Sequence, residues 1–197
     1  MRKVIRKIVK AIMLLLSRIE IEGKENIQSG NVVYVCNHQT IFDAVIPFAF
    51  LPENTYFMAK KELFKFKPLA ALFMYVGVFP VDRAKADLKS IKYACNVLKE
   101  NNNLVIFPQG TRTGKREIER KEMHAGTGLI ALKQKSTVIP MMFLNKPGLF
   151  RKNKLVIGKP MDVSKFDNVK LNSDNLALFT DELLVVMNML LEKRWIL

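Results

Sequence analysis

The chain has few of the residues that build disulfide scaffolds or structural zinc sites. Its 197 residues include two cysteines and two histidines. Cys36 and Cys95 give no disulfide framework, and no Cys/His spacing typical of zinc is present, so we expect no metal site. Such sparing use of cysteine is typical of a protein from a reducing compartment.

Long apolar runs are also absent. Near the amino terminus the uncharged run covers residues 11–17, far fewer than the ~20 apolar residues that cross a bilayer. The basic start before this run resembles that of a signal peptide, but no small-x-small cleavage site follows it. We therefore expect neither a membrane-spanning helix nor a cleaved leader.

Acidic residues are scarce, with 18 Asp and Glu against 32 Lys and Arg, which gives a net charge of +14. Such a charge implies an anionic partner, and nucleic acid, an anionic membrane surface and phosphorylated ligands all qualify. Charge alone does not choose among them. The hydrophobic content of 49% excludes a disordered chain, and the length suits one domain with one sizeable core.

Residues 1–19 form a basic amphipathic pattern ahead of a domain that we place at residues 20–197. Read as a helix, the segment carries apolar side chains opposite a basic stripe. The basic residues are Lys3, Arg6, Lys7 and Lys10. Two interpretations are open: a helix lying on an anionic membrane surface, or a helix packed on the domain with its basic face in solvent. We favour the membrane-surface helix, because apolar residues at 11–16 wrap most of the way round it.

The rest of the chain alternates short apolar runs with longer helical patterns. Strands are predicted at residues 31–36, 55–58, 76–80, 103–107, 137–143 and 154–157. Helices are predicted at residues 43–50, 67–75, 87–100, 125–134 and 174–193. Continuous apolar strands are typical of a parallel sheet that is buried on both faces. The sequence therefore predicts an α/β fold with a mostly parallel central sheet flanked by helices, and ligands bind such folds beyond the carboxyl ends of the strands.

His38 and Asp43 follow the first predicted strand. Thr40 with Asp43 three residues later is an N-cap signature, which places Asp43 in the first turn of a helix. If the turn brings the two side chains together, Asp43 orients the imidazole and His38 can accept a proton from a substrate hydroxyl. Alternatively, Asp43 only caps the helix and His38 is an ordinary loop residue. This stretch alone favours the second interpretation.

Two further segments after strands contain candidate anion ligands. The sequence GVFPVDR at 77–83 ends in Arg83, which can bind a phosphate or pair with Asp82. The sequence LVIFPQGTRTGKR at 104–116 combines a flexible turn with a hydroxyl and a guanidinium, a pattern typical of an anion cradle. These groups belong to Gly110, Thr111 and Arg112. The segment is not a Walker loop, and no G-x-S-x-G turn offers a serine nucleophile.

Residues 58–75 alternate lysines with phenylalanines and then continue as an apolar helix. One interpretation places the segment at a membrane interface, with lysines toward head groups and aromatic rings toward acyl chains. The other is ordinary core packing with the lysines in solvent. The pattern supports both equally.

Four sequence blocks, taken together, resemble those of the glycerolphosphate acyltransferase family, in particular its bacterial 1-acyl-sn-glycerol-3-phosphate acyltransferases. The first is N-H-x-x-x-x-D at residues 37–43, and the second is G-x-F-x-x-x-R at 77–83. The third is FPQGTR at 107–112, where the family commonly has FPEGTR, and the fourth is VIP at 138–140. Each block alone is a weak signal, but four in order are a strong one. The resemblance covers roughly residues 20–165.

The resemblance implies roles for individual residues. His38 is the general base and Asp43 its partner, and the free hydroxyl of the acceptor attacks the acyl thioester without an acyl-enzyme. A substrate-binding set surrounds the phosphate of the acceptor. By resemblance it comprises Arg83, Gly110, Thr111 and Arg112, with Lys60, Gln109 and Asn37 beside them. Gln109 departs from the commoner glutamate, and His124 stands where the family often has lysine.

The implied reaction moves a fatty acyl group to lysophosphatidic acid and gives phosphatidic acid for phospholipid synthesis. The expected donor is acyl-CoA or acyl carrier protein, and no cofactor is required. The expected location is peripheral or monotopic, on an anionic membrane surface at the cytoplasmic face of a bacterial cell. Two alternatives stay open. One is a related acyltransferase with another lyso-lipid acceptor, and the other is a basic nucleic-acid-binding domain, which explains only the charge.

Overall fold

The computed structural model describes residues 2–82 and 87–192. Within these ranges seven strands and six α-helices follow one another along the chain. The strands are β1 (Arg18–Glu22), β2 (Val32–Cys36), β3 (Thr55–Lys60), β4 (Val78–Val81), β5 (Asn103–Ile106), β6 (Thr137–Phe143) and β7 (Lys152–Ile157). The helices are α1 (Arg2–Leu16), α2 (Phe42–Phe50), α3 (Lys67–Val76), α4 (Leu88–Lys99), α5 (Gly126–Lys133) and α6 (Ser173–Leu191).

The described strands form one sheet in the order β1-β7-β6-β2-β5-β3-β4. Neighbouring strands are parallel except for β6 and β7, which are antiparallel. The predicted α/β fold with a mostly parallel central sheet is confirmed. Its physical basis is the run of apolar residues in β2 and β5, which are buried along their whole length and need helices on both faces.

Alternate residues of the central strands point into two separate apolar layers. Val33 and Val35 of β2 pack in the layer that contains residues of α4, α5 and α6. Val32, Tyr34 and Cys36 pack in the layer that contains residues of α1 and α2. The result is a three-layer domain in which β2, β3, β5 and β6 all end at the same edge of the sheet.

The edge strand β1 has no counterpart among the predicted strands. It reads R-I-E-I-E, and the helical interpretation of residues 1–19 covered its start. In the structure α1 ends at Leu16, and β1 pairs with β7 so that Ile21 lies opposite Leu155. The other strands and helices match predicted ones, with ends that differ by no more than two residues, except that α1 ends three residues before residue 19.

Helix α1 packs on the domain through the side that carries Arg6. The buried guanidinium of Arg6 donates to the backbone oxygens of Leu51 (2.9 Å) and Glu53 (3.2 Å), beyond the end of α2. Burial and the neighbouring Arg2 lower the pKa of Arg6 to about 10, which leaves it charged at neutral pH. The prediction that Arg6 shares one basic stripe with Lys7 is therefore wrong, because Arg6 faces the protein while Lys7 is exposed.

The outward surface of α1 carries apolar groups beside the exposed lysines Lys3, Lys7 and Lys10. Its exposed large apolar side chains are Val4, Ile8, Ile12, Leu14 and Leu15. Neither interpretation of residues 1–19 describes this arrangement fully, since the helix packs on the domain and yet presents apolar groups to its surroundings. Contact with a membrane surface stays a prediction.

The lysine- and phenylalanine-rich segment also exposes apolar groups. Phe66 is 67% exposed, Leu63 and Leu72 are close to half exposed, and α3 buries only Val76. Core packing is therefore the wrong explanation for this segment, and an interfacial position stays a prediction. None of the helices described in residues 2–82 and 87–192 is long and apolar enough to cross a bilayer.

Candidate active site

His38 and Asp43 meet at the carboxyl edge of the sheet. Nδ1 of His38 lies 3.0 Å from Oδ2 of Asp43, and both side chains are buried or nearly so. The same Oδ2 accepts hydrogen bonds from the backbone N–H groups of Gln39 and Thr40, the latter at 2.6 Å. The turn that the pair needs is therefore held by the carboxylate itself.

The predicted N-cap role of Thr40 is wrong. Helix α2 begins at Phe42, and its N-cap, Ile41, makes no side-chain capping bond. The hydroxyl of Thr40 accepts from the N–H of Phe42 at 3.1 Å, but Thr40 lies one residue before the N-cap. Asp43 consequently folds back over the turn before the helix, and this places it beside His38.

The environment of His38 fixes which ring nitrogen is available. The carboxylate of Asp43 accepts from Nδ1–H, so Nε2 is left as the acceptor of a proton. The ring stacks on Phe107, with ring centroids 4.2 Å apart and planes at 19°. Among the described residues no group hydrogen-bonds Nε2. The arrangement can therefore remove a proton from a group that approaches this nitrogen.

The loop after β5 holds the backbone of His38 on both sides. Oε1 of Gln109 accepts from the N–H of His38 at 2.8 Å, and the N–H of Thr113 donates to the carbonyl of His38 at 2.9 Å. Nε2 of Gln109 donates to the hydroxyl of Thr113 at 3.1 Å and to Oε2 of Glu122 at 3.3 Å. Sequence reasoning missed Thr113 and Glu122, because no motif marks them.

Asn37 joins β2 to β6 below the site. Its Oδ1 accepts from the N–H of Phe143 at 2.8 Å, and its Nδ2 donates to the carbonyls of Phe143 and Arg116, each at 3.2 Å. Asn37 and Gln109 are both buried, and protein groups engage their polar atoms. In this structure these two side chains hold the backbone around His38, and their contact with substrate stays a prediction.

The expected phosphate ligands lie on the same loop. Gly110 has φ +64°, a conformation that favours glycine, and a Cβ there would lie 3.0 Å from the ring of His124. Thr111 and Arg112 are exposed. Arg112 has no acidic partner in the part of the chain that the structure describes, so its guanidinium is available to an anion.

The two remaining candidates are less closely tied to the site. Lys60 is exposed at the carboxyl end of β3, at the same edge of the sheet, and lies 3.8 Å from the carboxylate of Glu62. Arg83 lies outside the described residues. The structure thus brings together His38 and Asp43 with the backbone-holding residues, and it places Arg112 on the adjoining loop.

Cys36 is the nearest thiol to the pair, at the end of β2. Burial, and secondarily the carboxylate of Asp43, raises the pKa of the Cys36 thiol well above its ordinary value. A thiol held in its neutral form is a poor nucleophile. The chemistry of the site therefore centres on the imidazole.

Comparison with known proteins agrees with this geometry. The sequence model of the acyltransferase family matches residues 18–144. The chain is 31% identical over 182 residues to the 1-acyl-sn-glycerol-3-phosphate acyltransferase of Bacillus subtilis (strain 168), covering 89% of each protein. It is 32% identical over 156 residues to the protein of that name from Streptococcus pneumoniae (strain ATCC BAA-255 / R6), covering 76% of this chain and 56% of that one.

A solved structure has the same fold. It is the crystal structure of the 1-acyl-sn-glycerophosphate (LPA) acyltransferase, PlsC, from Thermotoga maritima, with a TM-score of 0.71 and 24% identity. The match covers 98% of this chain and 79% of that chain. The family model, the relatives and the fold all agree with the sequence blocks that surround His38, and the chain belongs to the acyltransferase family.

Proposed function

We propose that this protein transfers a fatty acyl group from a thioester donor to the free hydroxyl of lysophosphatidic acid. The observation that carries the proposal is the contact of 3.0 Å between His38 and Asp43, with Nε2 of His38 left open beside the loop that bears Arg112. The names of the relatives supply the acceptor, and the exposed guanidinium suits its phosphate.

The proposed chemistry needs one base and no covalent enzyme intermediate. Nε2 of His38 takes the proton of the acceptor hydroxyl as that oxygen attacks the carbonyl carbon of the thioester. The tetrahedral intermediate collapses, the C–S bond breaks, and the leaving thiolate receives the proton from the imidazolium. Asp43 stabilises the imidazolium while it exists. A positioned base contributes ~10²–10⁴ in rate, and orientation of the two substrates supplies much of the rest.

The donor is proposed to be acyl-CoA or acyl carrier protein, because both present the same acyl thioester. Both donors are anionic, as is the acceptor, and the protein has a net charge of +14. A basic surface raises the encounter rate with anionic substrates. Assays with the two donors in parallel distinguish them.

The departure from glutamate at Gln109 bears on the choice of acceptor head group. In the structure the polar atoms of Gln109 bind His38, Thr113 and Glu122. This engagement supports the view that the residue at 109 does not read the head group, so its departure from glutamate is no reason to prefer another lyso-lipid acceptor. The basic nucleic-acid-binding alternative has no observation in its favour beyond the net charge of +14.

We also propose that the apolar side of α1 lies on an anionic membrane at its cytoplasmic face, together with the loop after β6. Leu15 is 84% exposed and Phe150 is 81% exposed. The N–H of Phe150 donates to the carbonyl of Leu16 at 2.7 Å, which ties this loop to the end of α1. The hydroxyl of Thr40 donates to the carbonyl of Pro147 at 3.1 Å, which ties the same loop to the catalytic turn. An acceptor lipid in the membrane would thus reach His38 without leaving the interface.

Vesicle binding tests this membrane face. Leu15→Ser combined with Phe150→Ser should weaken binding to vesicles of phosphatidylglycerol and phosphatidylcholine by ~10-fold or more, since each large apolar side chain contributes ~1.5–3 kcal/mol on full burial. The matched control is Leu178→Ser, an exposed leucine of α6 on the other face of the sheet. Equal binding by all three proteins would contradict the proposal. Deleting residues 1–18 is a poorer test, because α1 also covers part of the core through Met13.

The reaction itself is tested by acyl transfer from acyl-CoA and from acyl carrier protein to lysophosphatidic acid in detergent micelles. We expect transfer by the wild type, near-complete loss in His38→Ala, and an increase in the acceptor KM in Arg112→Ala. Transfer that survives in His38→Ala would refute the role of the base. An intact acceptor KM with an altered donor KM would move Arg112 to the donor site.

A further inference from the structure

The buried side chain of Gln109 is fixed in one orientation by its neighbours. Its Oε1 accepts from the N–H of His38 at 2.8 Å, so its Nε2 must serve as the donor. Nε2 donates to Oε2 of Glu122 at 3.3 Å and to the hydroxyl of Thr113 at 3.1 Å. The carboxylate of Glu122 can only accept hydrogen bonds, so the amide of Gln109 is the donor in this contact.

Glu122 is itself held in place. It closes the short 3-10 turn Arg120–Glu122, where its Oε2 also accepts from the N–H of Glu119 at 3.2 Å in a capping box. The carboxylate of Glu119 pairs instead with Lys115 (3.2 Å) and Lys121 (2.7 Å). The turn therefore presents one fixed carboxylate oxygen to the amide of Gln109.

We propose that Gln109 and Glu122 form a charge-matched pair that positions His38. The proposal rests on the proposed function in that His38 is the base. Gln109 is a positioning residue: it touches neither substrate and acts through the backbone of His38. Glu122 acts one step further away by fixing the orientation of the amide.

The charges explain why glutamine stands at position 109 beside this particular partner. A glutamate there would place a carboxylate oxygen about where Nε2 now lies, 3.3 Å from Oε2 of Glu122. Two carboxylates at that distance in a partly buried site repel each other and move apart when both are ionised. Separation would pull the acceptor away from the N–H of His38 and shift the imidazole. One acid and one amide avoid this repulsion in either order, although an amide nitrogen at position 122 would give up the hydrogen bond from the N–H of Glu119.

The test exchanges the two side chains. The four proteins are wild type, Gln109→Glu, Glu122→Gln and the double variant that carries both substitutions. Glu117→Gln is the matched control, because Glu117 is an exposed acid of the same loop that lies 4.0 Å from Arg116. kcat and both KM values are measured for acyl transfer to lysophosphatidic acid, and the amide resonance of His38 is recorded by NMR.

We expect Gln109→Glu to lower kcat by ~10–100-fold with little change in either KM, because it displaces the base without altering substrate contacts. Glu122→Gln should stay within about threefold of wild type, since an amide at 122 can still accept. The double variant should recover to within ~5-fold of wild type. In that variant the new carboxylate at position 109 accepts from the N–H of His38, and the new amide at position 122 donates to that carboxylate. Glu117→Gln should not differ from wild type. The amide resonance of His38 should move in Gln109→Glu and return in the double variant.

A kcat for Gln109→Glu within about threefold of wild type would overturn the proposal. So would a double variant no better than Gln109→Glu. If Gln109→Glu fails to fold, a folded and active double variant supports the pair, and a double variant that also fails to fold refutes it. If the wild type transfers no acyl group, the proposed function fails. The pairing of Gln109 with Glu122 is then tested independently by whether the His38 resonance returns in the double variant.

Discussion

Replacing Asp43 by asparagine tests whether the carboxylate stabilises the charged form of His38 during the reaction. Oδ2 of Asp43 accepts from Nδ1 of His38 at 3.0 Å and from two backbone N–H groups of the turn. Its other oxygen, Oδ1, is buried and has no hydrogen-bond partner among the residues that the structure describes. An asparagine can keep its carbonyl on the three donors only by turning its NH₂ group toward a place that offers no acceptor.

The expected loss follows from these contacts. A unit charge pair near 4 Å at an effective dielectric constant of about 20 is worth ~4 kcal/mol, and the neutral amide retains a hydrogen bond of ~1 kcal/mol. The difference of about 3 kcal/mol corresponds to ~10²-fold in kcat, at 1.36 kcal/mol per factor of ten. The KM values should change little, because Asp43 is fully buried and does not reach a substrate.

The assay is initial-rate acyl transfer to lysophosphatidic acid in micelles at saturating donor, with thermal unfolding of the same samples as the control for folding. His38→Ala is measured in parallel, and the kcat of Asp43→Asn should not be lower than the kcat of His38→Ala. A folded Asp43→Asn protein whose kcat lies within about threefold of wild type would refute the reasoning, because the imidazolium would then need no carboxylate.

Two further predictions concern stability. Arg6→Met should lower the free energy of unfolding by ~2–3 kcal/mol, since it removes two charge-assisted hydrogen bonds to carbonyls beyond the end of α2, and should lower Tm by ~4–12 °C. Lys7→Met, one residue along and exposed, should change stability by less than ~0.5 kcal/mol in the same calorimetric scan, and equal effects would contradict the inward role of Arg6. Hydrogen bonds from the hydroxyl of Ser90, the N–H of Asp82 and the N–H of Ser90 lower the pKa of Asp87 to about 2. Its contribution to stability is therefore present above pH ~4 and lost as the pH falls toward 2. Urea unfolding should accordingly show the wild type losing stability faster than Asp87→Asn between pH 4 and 2, and parallel losses would exclude this role for Asp87.

Local pattern was sufficient for most of the fold. The apolar runs of β2, β5 and β6 predicted strands buried on both faces, and the structure places them side by side at the centre of the sheet. The strand β1 escaped notice because an alternating sequence of charged and apolar residues at a sheet edge gives a weak signal beside a strongly helical segment. Its pairing with β7 joins residues more than a hundred positions apart, as Arg18 with Lys152 shows.

The candidate site was likewise predicted only in part from the sequence. Spacing alone left His38 and Asp43 undecided, since five positions on one helix would separate them. Resemblance to the family predicted the pair, but it also counted Asn37 and Gln109 among the substrate ligands. Only the packed structure places these two amides beneath the backbone of His38, because their partners come from β6 and from the turn that ends at Glu122.

By itself the sequence determined which residues share a face, which strands are buried and which reaction class the blocks resemble. These properties follow from periodicity and local chemistry, which act over a few residues. Tertiary structure alone decided that Arg6 faces inward, that the apolar side of α1 faces outward, and that Gln109 meets a carboxylate. Each depends on which neighbour covers a given face, and a period of 3.6 or 2 residues carries no information about that neighbour.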